Sequence, residues 1–104
     1  SWSFPDKDTK ESIRNIQNEF GYLIDPHTAV GVLGLNKYRN ETNTKMKGVV
    51  LSTAHPGKFA DVIEPIIGNK TTLPDSLQIA MKKEKNSIKM PKQFSDLKEY
   101  LLAV

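Results

Sequence analysis

The first helix predicted by the spacing of apolar residues has one apolar face and a marked end. Ile13, Ile16 and Phe20 recur at helical intervals and therefore lie on the same side of a helix. Asp8 is a candidate N-cap at its start, and Gly21 is a candidate stop at its end. The pattern predicts an amphipathic helix that packs through this apolar face.

The second predicted helix is apolar almost all round. Asp25 followed by Pro26 is typical of an N-cap with proline at the first helical position. Apolar residues then dominate residues 29–35, and a helix without a polar face is usually a buried one. Gly31 and Gly34 each cost about 1 kcal/mol of helix stability relative to Ala. We therefore expect another stretch of backbone to approach the helix closely at these glycines.

A strand followed by three more helices completes the predicted pattern. The apolar stretch of residues 48–53, GVVLST, predicts a strand buried on both faces, and residues 87–90, SIKM, are a candidate edge strand. Helical patterns follow Pro56, follow Leu73-Pro74-Asp75 and occupy residues 94–104. Because one central strand cannot make a sheet, the prediction is an α/β fold class in fragment form. That fragment has about five helices around one buried strand, possibly with a second short strand, and residues 1–104 form a single segment of a larger fold.

Composition and charge narrow the classes of function. The chain has no Cys, which excludes disulfides and thiol nucleophiles, and no apolar run reaches the ~20 residues that span a bilayer. We therefore expect no membrane partner and a cytoplasmic location. The net charge is +3, and the densest basic cluster lies within residues 82–92. The cluster contains no Arg or aromatic residue with which to stack on bases, so nucleic acid is not an expected partner. A stand-alone basic module that binds an anionic partner through Lys82–Lys92 remains the alternative function.

Candidate chemistry gathers where the predicted strand ends. Ser52 and Thr53 close the strand, and His55 precedes the helix that Pro56 opens. Ligands of parallel α/β sheets bind at the carboxyl ends of strands, yet Ser, Thr and His before a helix also serve as caps. Both interpretations stay open on pattern alone. A Ser52–His55–Asp25 triad has no nucleophile elbow to support it, and no metal-ligand spacing is present.

Three segments in order resemble the C-terminal part of threonine synthase. They are GYLIDPHTAVGV at residues 21–32, LSTAHPGKFADVIEPIIG at residues 51–68, and LPDSL at residues 73–77. The resemblance extends from about Ile13 to Leu77, and beyond it only the helical character is similar. Gly57 stands where the family's usual motif, TAHPAKF, has Ala. Threonine synthase is a pyridoxal-phosphate enzyme of fold type II, the tryptophan-synthase-β-like fold.

The resemblance implies a reaction, a cofactor and a division of the site between two parts of a polypeptide. The family converts O-phospho-L-homoserine and water to L-threonine and phosphate, using pyridoxal 5'-phosphate. The resemblance also implies that Thr53 lies beside the pyridine nitrogen of the cofactor, with Ser52 and His55 as further cofactor-binding residues. The family's Schiff-base lysine and phosphate loop belong to the N-terminal half, so no catalytic residue is expected in this chain. We expect the chain to pair with that N-terminal remainder, to be inactive alone, and to expose apolar surface that favours self-association.

Overall fold

The computed structural model describes all 104 residues and contains five α-helices. These are α1 (Asp6–Phe20), α2 (Pro26–Thr42), α3 (Ala60–Ile67), α4 (Asp75–Lys82) and α5 (Phe94–Ala103), with a short 3₁₀ helix (Pro56–Phe59) directly before α3. The predicted number of helices is confirmed. The contacts divide the chain into two compact units, residues 1–73 with α1 to α3 and residues 74–104 with α4 and α5.

Prolines stand at four of the helix starts. Pro5 and Pro74 immediately precede α1 and α4, whereas Pro26 and Pro56 are the first residues of α2 and of the 3₁₀ helix. Proline suits these positions because its fixed φ matches the helix entry and its missing N–H has no intrahelical acceptor there. The N-cap of α1 is consequently Pro5 and not the expected Asp8, whose N–H donates to the Pro5 carbonyl at 3.0 Å within the first turn.

Two glycines end helices in the left-handed conformation. Gly21 ends α1 with φ of 65°, and Gly68 ends α3 with φ of 71°. Only glycine adopts this conformation without a steric penalty, and the Gly68 N–H closes the last turn on the Glu64 carbonyl at 2.9 Å. Pro65 lies inside α3 and does not end it, since the helix continues to Ile67. The predicted stop at Gly21 is confirmed.

Helix α1 packs against both α2 and α3 in the first unit. Ile13, Ile24, Ala29 and Ile66 are buried together at the centre of this packing. At the usual ~25 cal/mol per Å² of apolar surface, each large side chain buried here contributes about 1.5–3 kcal/mol. This core holds the start of α2 in place, and the start of α2 is where the candidate site lies.

The predicted strands are absent. Residues 48–53 are irregular, Val49 is 87% exposed and Leu51 is 79% exposed, so the buried central strand is a wrong prediction. Residues 87–90 form no strand either. The physical reason is that a strand needs a neighbouring strand to complete its backbone hydrogen bonds, and no segment of this chain forms such a ladder. The fold is a small, mainly helical one.

Helix α2 is only partly buried within the chain. Thr28 and Ala29 at its first turn are buried, while Val30 is exposed. A Cβ built on Gly31 would lie 2.8 Å from Val50 Cγ1, whereas one built on Gly34 would meet nothing within 4 Å. The segment that contains Val50 therefore passes close to α2 at Gly31, although its side chain and not its backbone makes the approach.

The second unit exposes most of its apolar residues. Neither α4 nor α5 contains a buried residue. Ile79, Met81, Phe94, Leu101 and Leu102 are all more than half exposed. None of the helices in the chain combines the length and the apolar character that crossing a membrane requires.

Candidate functional site

Asp25 is the centre of the most deeply buried polar group in the first unit. Its side chain is 0% exposed and accepts hydrogen bonds on both oxygens. Oδ1 accepts from the His27 backbone N–H at 2.9 Å and contacts His27 Nδ1 at the same distance, while Oδ2 accepts from the Thr28 hydroxyl. The carboxylate of Asp25 thus caps the His27 N–H at the first turn of α2, and the predicted N-cap is confirmed.

The pKa of Asp25 is set by two opposing effects. Burial disfavours the charged carboxylate and raises its pKa, but hydrogen bonds from the Thr28 and His27 side chains and from their backbone N–H groups stabilise it. The hydrogen bonds outweigh burial, so the pKa of Asp25 is lowered from its ordinary value of 3.8. Asp25 is therefore ionised at neutral pH, and its charge is enclosed by donors from the same helix turn.

Ser52 connects to this group through Thr28. The two hydroxyl oxygens, Thr28 Oγ1 and Ser52 Oγ, lie 3.4 Å apart, and the residues are 24 positions apart in the chain. Thr28 is only 5% exposed, while Ser52 is at the surface. The contact therefore links the irregular segment to the first turn of α2, beside the buried carboxylate.

Thr53 is exposed and its side chain has no hydrogen-bond partner within the chain. It follows Ser52 directly, and the two exposed residues together form an edge of the first unit. Ser52 thus faces a partner inside the chain, whereas the hydroxyl of Thr53 is free to donate to a group outside it. The cofactor contact predicted for Thr53 stays a prediction.

His55 acts as a cap. Its Nδ1 accepts from the Gly57 N–H at 3.1 Å, so the neutral ring carries its hydrogen on Nε2. The ring also lines a recess of about 670 Å³ whose other walls include Gln17, Leu23 and Lys70. Capping, one of the two roles left open by the sequence, is thus observed for His55.

The catalytic triad and the metal site find no geometric support. Asp25 bonds His27 and Thr28, and His55 bonds Gly57, so Asp25, His55 and Ser52 form no hydrogen-bonded series. The His27 ring instead packs on Phe59, with centroids 5.2 Å apart. No three metal-ligating side chains come together anywhere in the chain.

Thr28 is the site residue that the sequence interpretation overlooked. It occupies the third position after the N-cap Asp25, where a side chain is able to fold back towards the cap. That spacing was a visible signal for the Asp25–Thr28 bond. The contact with Ser52 had no sequence signal, because it joins two segments across the fold.

Comparison with known proteins decides the family. The family model described as "Threonine synthase, C-terminal" matches residues 28–101, which is well over half of the chain. The chain belongs to this threonine synthase family. The match continues past Leu77 and through most of α5, further than the motifs alone indicated.

Individual threonine synthases resemble the chain along most of its length. The threonine synthase of Serratia marcescens is 31% identical over 99 residues, which cover 95% of this chain and 22% of that protein. The crystal structure of threonine synthase from Escherichia coli superposes with a TM-score of 0.78 at 32% identity, over 94% of this chain and 22% of that one. A structure described as PLP-bound threonine synthase from Brucella melitensis gives a TM-score of 0.64 at 33% identity, over 89% and 19% of the two chains.

The chain thus spans about a fifth of the length of the threonine synthases that it matches. Its helical architecture agrees with theirs, which confirms the mainly helical part of the predicted fold. The alternative of a stand-alone basic module acting through Lys82–Lys92 receives no support from the structure or from these relatives.

Proposed function

We propose that residues 1–104 are a single segment, the C-terminal part of a threonine synthase that uses pyridoxal 5'-phosphate. The enzyme would convert O-phospho-L-homoserine and water to L-threonine and phosphate in the cytoplasm, without a nucleic-acid or membrane partner. Family membership and the relative described as PLP-bound support this proposal. The segment supplies one wall of the cofactor site through Thr53, with Ser52 and His55 beside it.

The observation that carries the proposal is the set of polar groups at the edge formed by Ser52 and Thr53. Both side chains are neutral hydroxyls at the surface, and the nearest buried carboxylate, Asp25, has both oxygens occupied by donors. Asp25 is therefore not free to pair with a pyridinium nitrogen at this edge. A hydroxyl donates a hydrogen bond to a neutral pyridine nitrogen without protonating it, so the residues present fit the pyridine ring.

The pyridine ring, when bound, withdraws electrons from the substrate, and a neutral ring nitrogen makes that withdrawal weaker. In this proposal Thr53 donates to the ring nitrogen and keeps it neutral. His55 holds the start of the 3₁₀ helix through its bond to Gly57 and so fixes the position of the residues that follow Thr53. Each of these residues orients a group and none reacts.

The chain alone is expected to be inactive, because the resemblance assigns the Schiff-base lysine and the phosphate loop to the N-terminal remainder. A purified 104-residue chain should release no phosphate from O-phospho-L-homoserine, whereas the full-length protein should. Turnover by the isolated chain would contradict this part of the proposal.

The decisive experiment replaces Thr53 in the full-length protein. The wild-type protein should carry a yellow chromophore that borohydride reduces. Thr53→Asp places a carboxylate at the ring nitrogen, so we expect a shifted absorbance spectrum and a turnover reduced about tenfold or more.

Thr42→Asp is the matched control, because it adds the same charge at another exposed threonine of the first unit, at the far end of α2. Its absorbance spectrum and turnover should equal those of the wild type. If Thr53→Asp also left both unchanged, the proposed place of Thr53 at the cofactor would be refuted.

A further inference from the structure

The Thr28 hydroxyl has two partners but only one hydrogen. Its oxygen contacts Asp25 Oδ2 in a short contact and Ser52 Oγ at 3.4 Å. A hydrogen bond to an ionised carboxylate is shorter and roughly twice as strong as one between neutral groups. The hydrogen of Thr28 therefore points to Asp25, and only a lone pair of Thr28 remains for Ser52.

The direction of the second bond follows from the first. Since Thr28 is able only to accept from Ser52, a hydrogen bond between the two hydroxyls has Ser52 as its donor, with the hydrogen directed inwards to Thr28 Oγ1. Asp25 is 0% exposed and Thr28 is 5% exposed, so water does not compete for the bond between these two residues, whereas Ser52 lies at the surface. The lowered pKa of Asp25 agrees with this order, because it keeps the carboxylate ionised and accepting.

We infer that Asp25 and Thr28 are positioning residues that fix the Ser52 hydroxyl as a hydrogen-bond acceptor towards the ligand side. Thr53 is then the one hydroxyl at this edge whose hydrogen is free to donate outwards. The inference deepens the proposed function and rests on it, because it assumes that Ser52 and Thr53 face the cofactor ring. It assigns the two adjacent hydroxyls different roles.

The consequence for a bound pyridine ring is chemical. A neutral ring nitrogen only accepts hydrogen bonds, so Thr53 is able to serve it and Ser52 is not. Ser52 is complementary instead to a donor, such as a water molecule or an N–H group beside the ring. Freeing the hydrogen of Ser52 would add a second donor next to the nitrogen and so alter the electronic state of the ring.

Two substitutions in the full-length protein free that hydrogen in different ways. Thr28→Val removes the inner hydroxyl and abolishes the bond. Asp25→Asn keeps the bond but reverses it, because the amide of the variant donates to Thr28 and Thr28 then donates to Ser52. The amide oxygen also still accepts from the His27 N–H, so the cap of α2 is retained.

Both variants should therefore change the bound cofactor in the same way. We expect the dissociation constant of pyridoxal phosphate for the apoprotein to change about fivefold in each, the effect of one neutral hydrogen bond. The absorbance maximum of the bound cofactor should move in the same direction in both variants. Thr28→Ser keeps the hydroxyl, and Thr42→Val removes a hydroxyl at the far end of the same helix, so both should match the wild type.

The background variant Ser52→Ala tests whether the effect passes through Ser52. In that background Thr28→Val and Asp25→Asn should each change the affinity less than twofold. The inference is overturned if the effects persist there. It is also overturned if Asp25→Asn behaves as the wild type while Thr28→Val does not, since the bond and not its direction would then matter.

Failure of the proposed function is a different result. A wild-type protein that acquires no chromophore with pyridoxal phosphate would refute the proposed function, and the bond between Thr28 and Ser52 is then tested by unfolding of the apoprotein. Thr28→Val should raise the unfolding equilibrium constant about fivefold more with Ser52 present than in the Ser52→Ala background. Equal losses in the two backgrounds would overturn the inference.

Discussion

Substitution of Gly31 by Ala tests how tightly the segment before Ser52 packs on α2. Ala in place of Gly in a helix interior stabilises by about 0.8–1 kcal/mol. At Gly31, however, the new Cβ would lie 2.8 Å from Val50 Cγ1, where carbon atoms prefer about 3.5–4.0 Å. Val50 is β-branched and stiff, so the backbone around it must move by roughly 1 Å. Such overpacking costs about 1–3 kcal/mol.

Gly34→Ala is the matched control, because it lies on the same helix and its Cβ would meet nothing within 4 Å. The gain in helix propensity is common to both variants, so the difference between them isolates the contact with Val50. We expect Gly34→Ala to raise the free energy of unfolding by about 0.5–1 kcal/mol. Gly31→Ala should lie about 1–3 kcal/mol below Gly34→Ala.

Urea unfolding followed by far-ultraviolet circular dichroism measures both changes. The double variant Gly31→Ala with Val50→Ala should recover much of the loss, because it removes the methyl group that the new Cβ meets. Equal stabilities for Gly31→Ala and Gly34→Ala, within about 0.5 kcal/mol, would refute the close approach of Val50 to α2.

Three further properties of the chain are open to direct measurement. Because the pKa of Asp25 is lowered in the folded state, its stabilising effect is present above pH 3.8 and is lost as the pH falls through the folded-state pKa. Acid should therefore reduce the free energy of unfolding of the wild type more than that of Asp25→Asn. Parallel curves of this free energy against pH would contradict the prediction. Glu64 accepts hydrogen bonds from the N–H and the hydroxyl of Thr71. Glu64→Ala should therefore lower the free energy of unfolding by about 1–2 kcal/mol and speed hydrogen exchange at the Thr71 amide. Unchanged exchange would show that these bonds do not hold the loop. The isolated chain should bind a hydrophobic dye and self-associate through exposed residues such as Val49 and Leu51, whereas a monomer that binds no dye would contradict this.

The helices were predictable from the sequence because their signals are local. The Asp25–Pro26 start needs only neighbouring residues to form the cap, and the Gly21 stop needs only the left-handed conformation of one residue. The N-cap of α1 was placed three residues late, because Asp8 matched the side-chain signal of a cap, whereas the N-cap is Pro5, whose carbonyl accepts the first hydrogen bonds of the helix. These features depend on interactions between residues within about one helical turn of each other.

The strand was not predictable in the same way, because its hydrogen bonds depend on partners elsewhere. Residues 48–53 have a pattern typical of a strand in a parallel sheet, but no other part of the chain supplies a ladder. The contact between Thr28 and Ser52 was missed for a related reason, since it joins residues 24 positions apart. The sequence motif predicted a role for Ser52 and Thr53, and the structure added that Ser52 contacts a residue inside the chain.

The prolines at the helix starts have a consequence for the order in which this segment acquires its shape. Proline restricts φ in the unfolded chain as well, so at each of the four helix starts the φ angle of the proline is already close to its helical value before distant residues come into contact. Residues 44–54 contain no proline and depend on α2 for their placement. We expect the helical scaffold to form early during synthesis, and the edge formed by Ser52 and Thr53 to become ordered only after α2 has docked onto α1.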